Sequence, residues 1–409
     1  MPPRRLQPPP SQQIGLTDLY RGIGATSPLP AAGGCGKSWG VPKPRFPKPI
    51  AAMTTIATTI PASSNVASTT PASTADSGNA PRPANPAIAP APLNFADRLL
   101  DRTATRSPLC VGIDPNFGLM PASLWPDDDR PATVHRALLR FCQEVIAAVQ
   151  EQAAVVKFQS AFFEACGAAG VAALADSITV AKAAGLLVIV DAKRGDIGST
   201  ASAYAQAYLG GGGMLANGVR LHSDLLGDAL TVNPFLGEDT LEPLIEAAAD
   251  HGCGLFILVK TSNPGSGRWQ DAALRPPQDN AADTNTAMSF SDALAAMVAR
   301  LGQPLIGGSG YSSIGAVVGA TYPAQARQLR TLMPHTPFLI PGLGAQGGSM
   351  ADALAGFGRD DNNRLTGAIV SASRQITYPS AAEVDAHGFG GAVRQRLATM
   401  VAEWQQVAG

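Results

Sequence analysis

The chain has 409 residues, a formal net charge of −1, 45% apolar residues, 34 prolines and five cysteines. No apolar run reaches the roughly 18 residues that a membrane span needs, and no charged-then-apolar secretory leader is present. Cys35, Cys110, Cys142, Cys166 and Cys253 form no CxxC pair and the five histidines no HxH or HxxxH pattern, which argues against a disulfide framework or metal site and for a reduced, cytoplasmic protein.

Residues 1–92 hold 18 of the 34 prolines, are dense in Ala, Ser and Thr, and carry eight Lys/Arg against two Asp/Glu. They show no sustained helical or strand period, which predicts a disordered extension. A transit peptide also fits an Arg-containing, acid-poor leader. So does a start placed too early, with Met53 as one candidate first residue. The extension is +6, so residues 93–409 are −7. That acidic body lacks the basic footprint of a nucleic-acid binder.

From about Asn94 short apolar runs alternate with Ala-rich helical stretches. Eight runs read as strands: Leu109–Asp114, Ala154–Phe158, Leu186–Asp191, Ala229–Asn233, Leu255–Lys260, Gly315–Ala320, Phe338–Gly342 and Gly367–Ser371. Between them lie amphipathic segments such as Thr133–Gln150, Thr240–Ala249 and Ser291–Leu301. Continuous apolar strands alternating with helices predict a parallel sheet covered on both faces. Eight such units in roughly 300 residues predict an α/β fold, a (β/α)8 TIM barrel, over residues 93–409. The competing fold is an open doubly wound sheet, against which no GxGxxG follows the first strand.

Active sites of such barrels lie at the C-terminal ends of the strands. Polar residues gather there: strand one ends in Asp114, strand two in Lys157 and Gln159, strand three in Asp191 and Lys193. Lys260-Thr-Ser-Asn-Pro264 follows strand five and Ser371-Ala-Ser-Arg374 strand eight. Asp191 and Lys193, two apart on an extended chain, face the same side. Such clustered charges are costly to desolvate unless they pair with each other or with a ligand. After strand seven, Pro341-Gly-Leu-Gly-Ala-Gln-Gly-Gly348 supplies glycines whose N–H groups can approach an anion, and Arg374 adds a planar fork. A phosphate site built from Gly344, Gln346, Gly347 and Arg374 is therefore expected.

The string Asp191-x-Lys193-x-x-Asp196-Ile197-x-x-Thr200 resembles the signature of the orotidine 5'-phosphate decarboxylase family. Val111-Gly-Ile-Asp-Pro-Asn116, Lys157-Phe-Gln-Ser-Ala-Phe-Phe-Glu164, Val232-Asn-Pro-Phe-Leu-Gly237, Lys260-Thr-Ser-Asn-Pro264 and Pro341-Gly-Leu-Gly-Ala-Gln346 resemble its second subgroup. The resemblance implies cofactor-free decarboxylation of orotidine 5'-phosphate to UMP, the last step of pyrimidine nucleotide synthesis. It implies a Lys-Asp-Lys-Asp network of Lys157, Asp191, Lys193 and Asp196, with Lys193 protonating C6 of the pyrimidine. Asp196 and Thr200 would come from the partner subunit of a homodimer. Asp114 and Thr200 would bind ribose hydroxyls, Ser262 and Thr261 the pyrimidine amide edge, and Gln346 and Arg374 the phosphate; Gln159 would bind substrate or brace Lys157.

Two stretches depart from that pattern. Gly210 to Leu226 is long for a connection and holds His222, expected at the surface; Gly265 to about Ala287 is polar and lengthens the loop after strand five. Two rival functions share the barrel. One is a Mg2+-dependent sugar-phosphate decarboxylase or aldolase, which needs a further acidic ligand where Lys157 stands; the other is a phosphate-binding sensor, which needs no Lys-Asp-Lys-Asp array.

Overall fold

The computed structural model describes residues 93–210, 212–274, 288–344 and 347–409. The readings for residues 1–92 and for Gln346 lie outside them. Eight parallel strands close into a barrel: β1 (Ser107–Ile113), β2 (Ala153–Gln159), β3 (Leu187–Arg194), β4 (Ala229–Val232), β5 (Gly254–Lys260), β6 (Ile314–Val318), β7 (Phe338–Ile340) and β8 (Ala368–Ala372). Each pairs with its sequence neighbours, and β8 returns to β1 through Leu109 opposite Val370. All eight expected strands form, and the open sheet is ruled out by this closure.

The strands are apolar on both faces because both are covered. One cluster, with Cys110, Val155, Ile189, Phe256, Val317, Leu339 and Ile369, fills the barrel. A larger one, with Val111, Val156, Val188, Val190 and Ile257, packs outward against the helices. Helix α1 (Phe95–Thr105) is capped by the Asn94 side chain, which accepts from the amides of Ala96 and Asp97. Its Phe95 joins the inner cluster and meets Phe256 edge to face, with centroids 6.0 Å apart. Gly254 makes room for that ring, since a Cβ there would lie 2.2 Å from Phe95 Cδ1. Helix α2 (Pro131–Val149) starts on a proline, whose missing N–H costs nothing at that position, and buries Leu138, Phe141, Cys142, Val145 and Val149 along one stripe.

Helix α3 (Gly167–Ala183) connects β2 to β3, and α4 (Gly198–Tyr208) leads from β3 toward β4. The long connection that follows α4 contains a small hairpin, with Met214 bridged to Arg220, and leaves Met214, Leu215, Val219, Leu221 and His222 exposed. After β5 the chain makes a short helix, Gly267–Gln270, and a two-residue antiparallel pairing of Ala273–Leu274 with Met288–Ser289. Residues 275–287, the centre of the expected lid, lie outside the described residues. No helix among those described is long and apolar enough to cross a membrane.

Candidate active site

A cavity of about 500 Å³ opens at the C-terminal ends of the strands. Its lining combines Asp114, Lys157, Gln159, Asp191, Lys193, Thr261, Ser262 and Arg374 with apolar Leu258, Val317 and Leu339. Strand period explains the placement. Val155 and Ile189 point into the barrel, so Lys157 and Gln159, and Asp191, follow on the same phase. The β2–β3 register sets Gln159 opposite Asp191.

Asp191 is the hub. Its Oδ2 accepts from Lys157 Nζ at 2.8 Å and Gln159 Nε2 at 3.0 Å; its Oδ1 accepts from Lys193 Nζ at 2.6 Å and Thr231 Oγ1 at 2.8 Å. Burial alone would raise the Asp191 pKa, but the two ammonium groups and their hydrogen bonds outweigh it and hold the carboxyl well below the usual range. Burial likewise pulls down on Lys157, and the charges of Asp191 and Asp114 more than offset it, so its pKa is raised. Lys157 and Asp191 are almost fully buried, whereas the Lys193 side chain is 44% exposed and reaches the open part of the cavity.

Lys193 sits in strained backbone, with φ of 48°. Register between β3 and β4 shifts between Val190 and Arg194, so β3 bulges there. Thr231, buried on β4, fixes the bulge: its hydroxyl accepts from the Lys193 amide at 3.0 Å while donating to Asp191. Sequence reasoning missed Thr231, because a threonine in an apolar run reads as an ordinary strand former. The available signal was its position two residues after inward-facing Ala229.

Asp114 directly follows β1, with Oδ2 accepting from Ser373 Oγ at 2.6 Å, while its buried Oδ1 has no hydrogen-bond partner among the described residues. Thr261 and Ser262 line the cavity beside Asn263; the Thr261 hydroxyl and amide are both held by the Gln270 side chain. Arg374 lies at the opening, exposed, with Gly342 and Leu343 nearby in the lining. Gly344 and Gly347 do not line the cavity. The amides of Gly344 and Gly347 donate to Gly348 O and Gly344 O, both at 2.8 Å, so the loop's own carbonyls occupy them. Their φ values of 69° and 93° explain the glycines as turn formers. Asp196 and Thr200 stand just beyond β3 and do not join the cavity within one chain; Asp196 Oδ1 accepts from the Ile197 amide.

The fold and the site together define a (β/α)8-barrel enzyme built around a lysine–carboxylate–lysine centre. A family model described as the orotidine 5'-phosphate decarboxylase / HUMPS family matches residues 107–387, and the chain belongs to that family. It is 44% identical over 276 residues to the orotidine 5'-phosphate decarboxylase of Rhodopirellula baltica, covering 67% of this chain and 84% of that one. The enzyme of the same name from Deinococcus radiodurans is 39% identical over 297 residues, covering 71% and 92%. A crystal structure of a protein assigned as orotidine 5'-phosphate decarboxylase, from Streptomyces avermitilis, is 36% identical with a TM-score of 0.60, covering 78% of this chain and 97% of that one.

Proposed function

We propose that the chain converts orotidine 5'-phosphate to UMP and CO2, completing UMP synthesis. The observation that carries the reading is the Asp191 carboxylate bridging Lys157 and Lys193 at the mouth of the barrel. Decarboxylation breaks the bond from C6 to the carboxyl carbon and leaves the electron pair on C6. Pre-placed positive charge in a water-poor site stabilises that carbanion without reorganisation at the moment of reaction. Lys193 supplies the charge and then transfers an ammonium proton to C6. Asp191, buried and ionised, holds Lys193 in place near the departing carboxylate. A magnesium-dependent sugar-phosphate chemistry is disfavoured because Lys157 occupies the position of the extra acidic ligand.

The ribose falls to Asp114, whose Oδ1, unpartnered among the described residues, suits a hydroxyl donor, and to Lys157. Gln159 braces Asp191 rather than Lys157; Ser262 and Thr261 read the pyrimidine amide edge, and Arg374 with Gln346 holds the phosphate. Asp196 and Thr200 enter the site of a partner subunit, which makes a homodimer the working unit, in the cytoplasm. Residues 93–409 form the catalytic domain. The test follows loss of substrate absorbance with residues 93–409 in EDTA, for wild type and Lys193→Ala. Turnover that EDTA spares and the substitution abolishes supports the assignment. Inactivity, with Mg2+-dependent turnover of a pentulose or hexulose phosphate, would overturn it.

A further inference from the structure

Lys260, the last residue of β5, is 0% exposed and yet does not line the cavity. Register against β6 shifts between Leu258 and Lys260, so a bulge separates the cavity-lining Leu258 from Lys260. Lys260 Nζ instead donates to Asp271 Oδ1 at 2.5 Å and lies 4.5 Å from the centroid of the Tyr322 ring. Asp271 stands eleven residues on, at the far end of the segment that carries Thr261, Ser262 and Asn263 into the cavity. The ion pair therefore closes that segment at its base. Other contacts follow the same path: Gln325 Nε2 donates to Asp271 Oδ1 at 2.8 Å, Thr321 Oγ1 to Ser262 O at 3.3 Å, and Tyr322 OH to Asn263 O at 3.4 Å. Gly319 lets the segment pack against the end of β6, since a Cβ there would lie 2.9 Å from Ser262 Cα.

We propose that Lys260 is a positioning residue whose buried ion pair with Asp271 latches the 261–271 segment over the base-binding end of the cavity. The inference rests on the proposed reading of Thr261 and Ser262 as pyrimidine contacts. If the segment lifted, the Lys260 ammonium, 0% exposed here, would lose its carboxylate, which is unfavourable. The buried charge thus biases the segment toward the closed arrangement before any ligand arrives. Asp271, whose side chain is 37% exposed, stays wet on one side, so the latch can open toward solvent from that end.

Isothermal titration of the full chain with UMP and with ribose 5-phosphate, which lacks the base, tests this. Asp271→Asn and Lys260→Met are each expected to raise the Kd for UMP about 10- to 100-fold while leaving ribose 5-phosphate within about 2-fold of wild type. Should Lys260→Met fail to fold, Asp271→Asn, at the exposed partner, carries the comparison. Equal losses for both ligands, or UMP binding unchanged in the variants, overturns the latch. Wild type that turns over orotidine 5'-phosphate alongside such a result leaves the functional reading standing. A wild type that neither turns it over nor binds UMP more tightly than ribose 5-phosphate overturns both.

Discussion

Thr231→Val tests whether the Thr231 hydroxyl on β4 sets the geometry of Lys193. Valine keeps the β-branched shape and strand preference of threonine, so packing in the barrel is preserved. Two hydrogen bonds vanish, one to the ionised Asp191 carboxylate at 2.8 Å and one from the Lys193 amide at 3.0 Å. A bond to a charged group contributes about 1.5–3 kcal/mol and a neutral one about 1 kcal/mol, so the loss totals about 2.5–4 kcal/mol. The fraction that falls on the placement of Lys193, about 1.4–2.8 kcal/mol, corresponds to a 10- to 100-fold fall in kcat. Steady-state kinetics and urea denaturation read the two effects separately. Thr231→Ser restores the hydroxyl and is expected to recover most of both. Wild-type kcat in Thr231→Val, or failure of serine to rescue, would refute the argument that this hydroxyl holds the bulge.

Three other outcomes are expected. Asp196→Asn and Lys193→Ala are each expected to be inactive alone, yet mixing and reassociating them should restore about a quarter of wild-type activity, because half the dimers then carry one intact shared site; no recovery argues against a site shared across subunits. For Asp191, whose folded pKa is depressed, the stabilisation is present above the ordinary carboxylate value of about 4 and is lost as pH falls. The difference in unfolding free energy between wild type and Asp191→Asn should therefore stay level from about pH 5 to pH 8 and narrow below about pH 4; a gap unchanged in acid speaks against the pairing. On the proposed phosphate role, Arg374→Ala is expected to raise KM for orotidine 5'-phosphate about 10- to 100-fold and to flatten its dependence on salt, since an exposed guanidinium would act through screened charge. KM unchanged by the substitution would remove Arg374 from the phosphate site.

The barrel was legible because a strand covered on both faces has to be apolar throughout, and six of the eight runs ended on charged, amide, hydroxyl or glycine-rich stretches. Asp114, Lys157, Gln159, Asp191 and Lys193 stood out for the same reason, as charge or amide at the end of a buried strand. Thr231 did not, because its role depends on register between β3 and β4, and a chain read alone carries no register. Lys260 read as one more polar strand end, although a bulge separates it from the cavity and binds it to Asp271, eleven positions away. The glycines after β7 were read through their N–H groups, whereas backbone twist decides their use: Gly344 and Gly347 turn the chain and spend those groups on its own carbonyls.

Lys193 and Asn363 are the two non-glycine described residues with positive φ, and only the first stands at the cavity. Left-handed backbone disfavours a long side chain by about 1–2 kcal/mol, and asparagine or glycine tolerates it better. The position is therefore a local conflict between durability and chemistry. Asparagine or glycine at 193 would relieve that strain but forfeit the 2.6 Å ion pair to buried Asp191, so the ion pair is set against the backbone at this one position. Engineering of this barrel for harsher conditions accordingly has to draw its gains from the helical shell and hold the β3 bulge fixed.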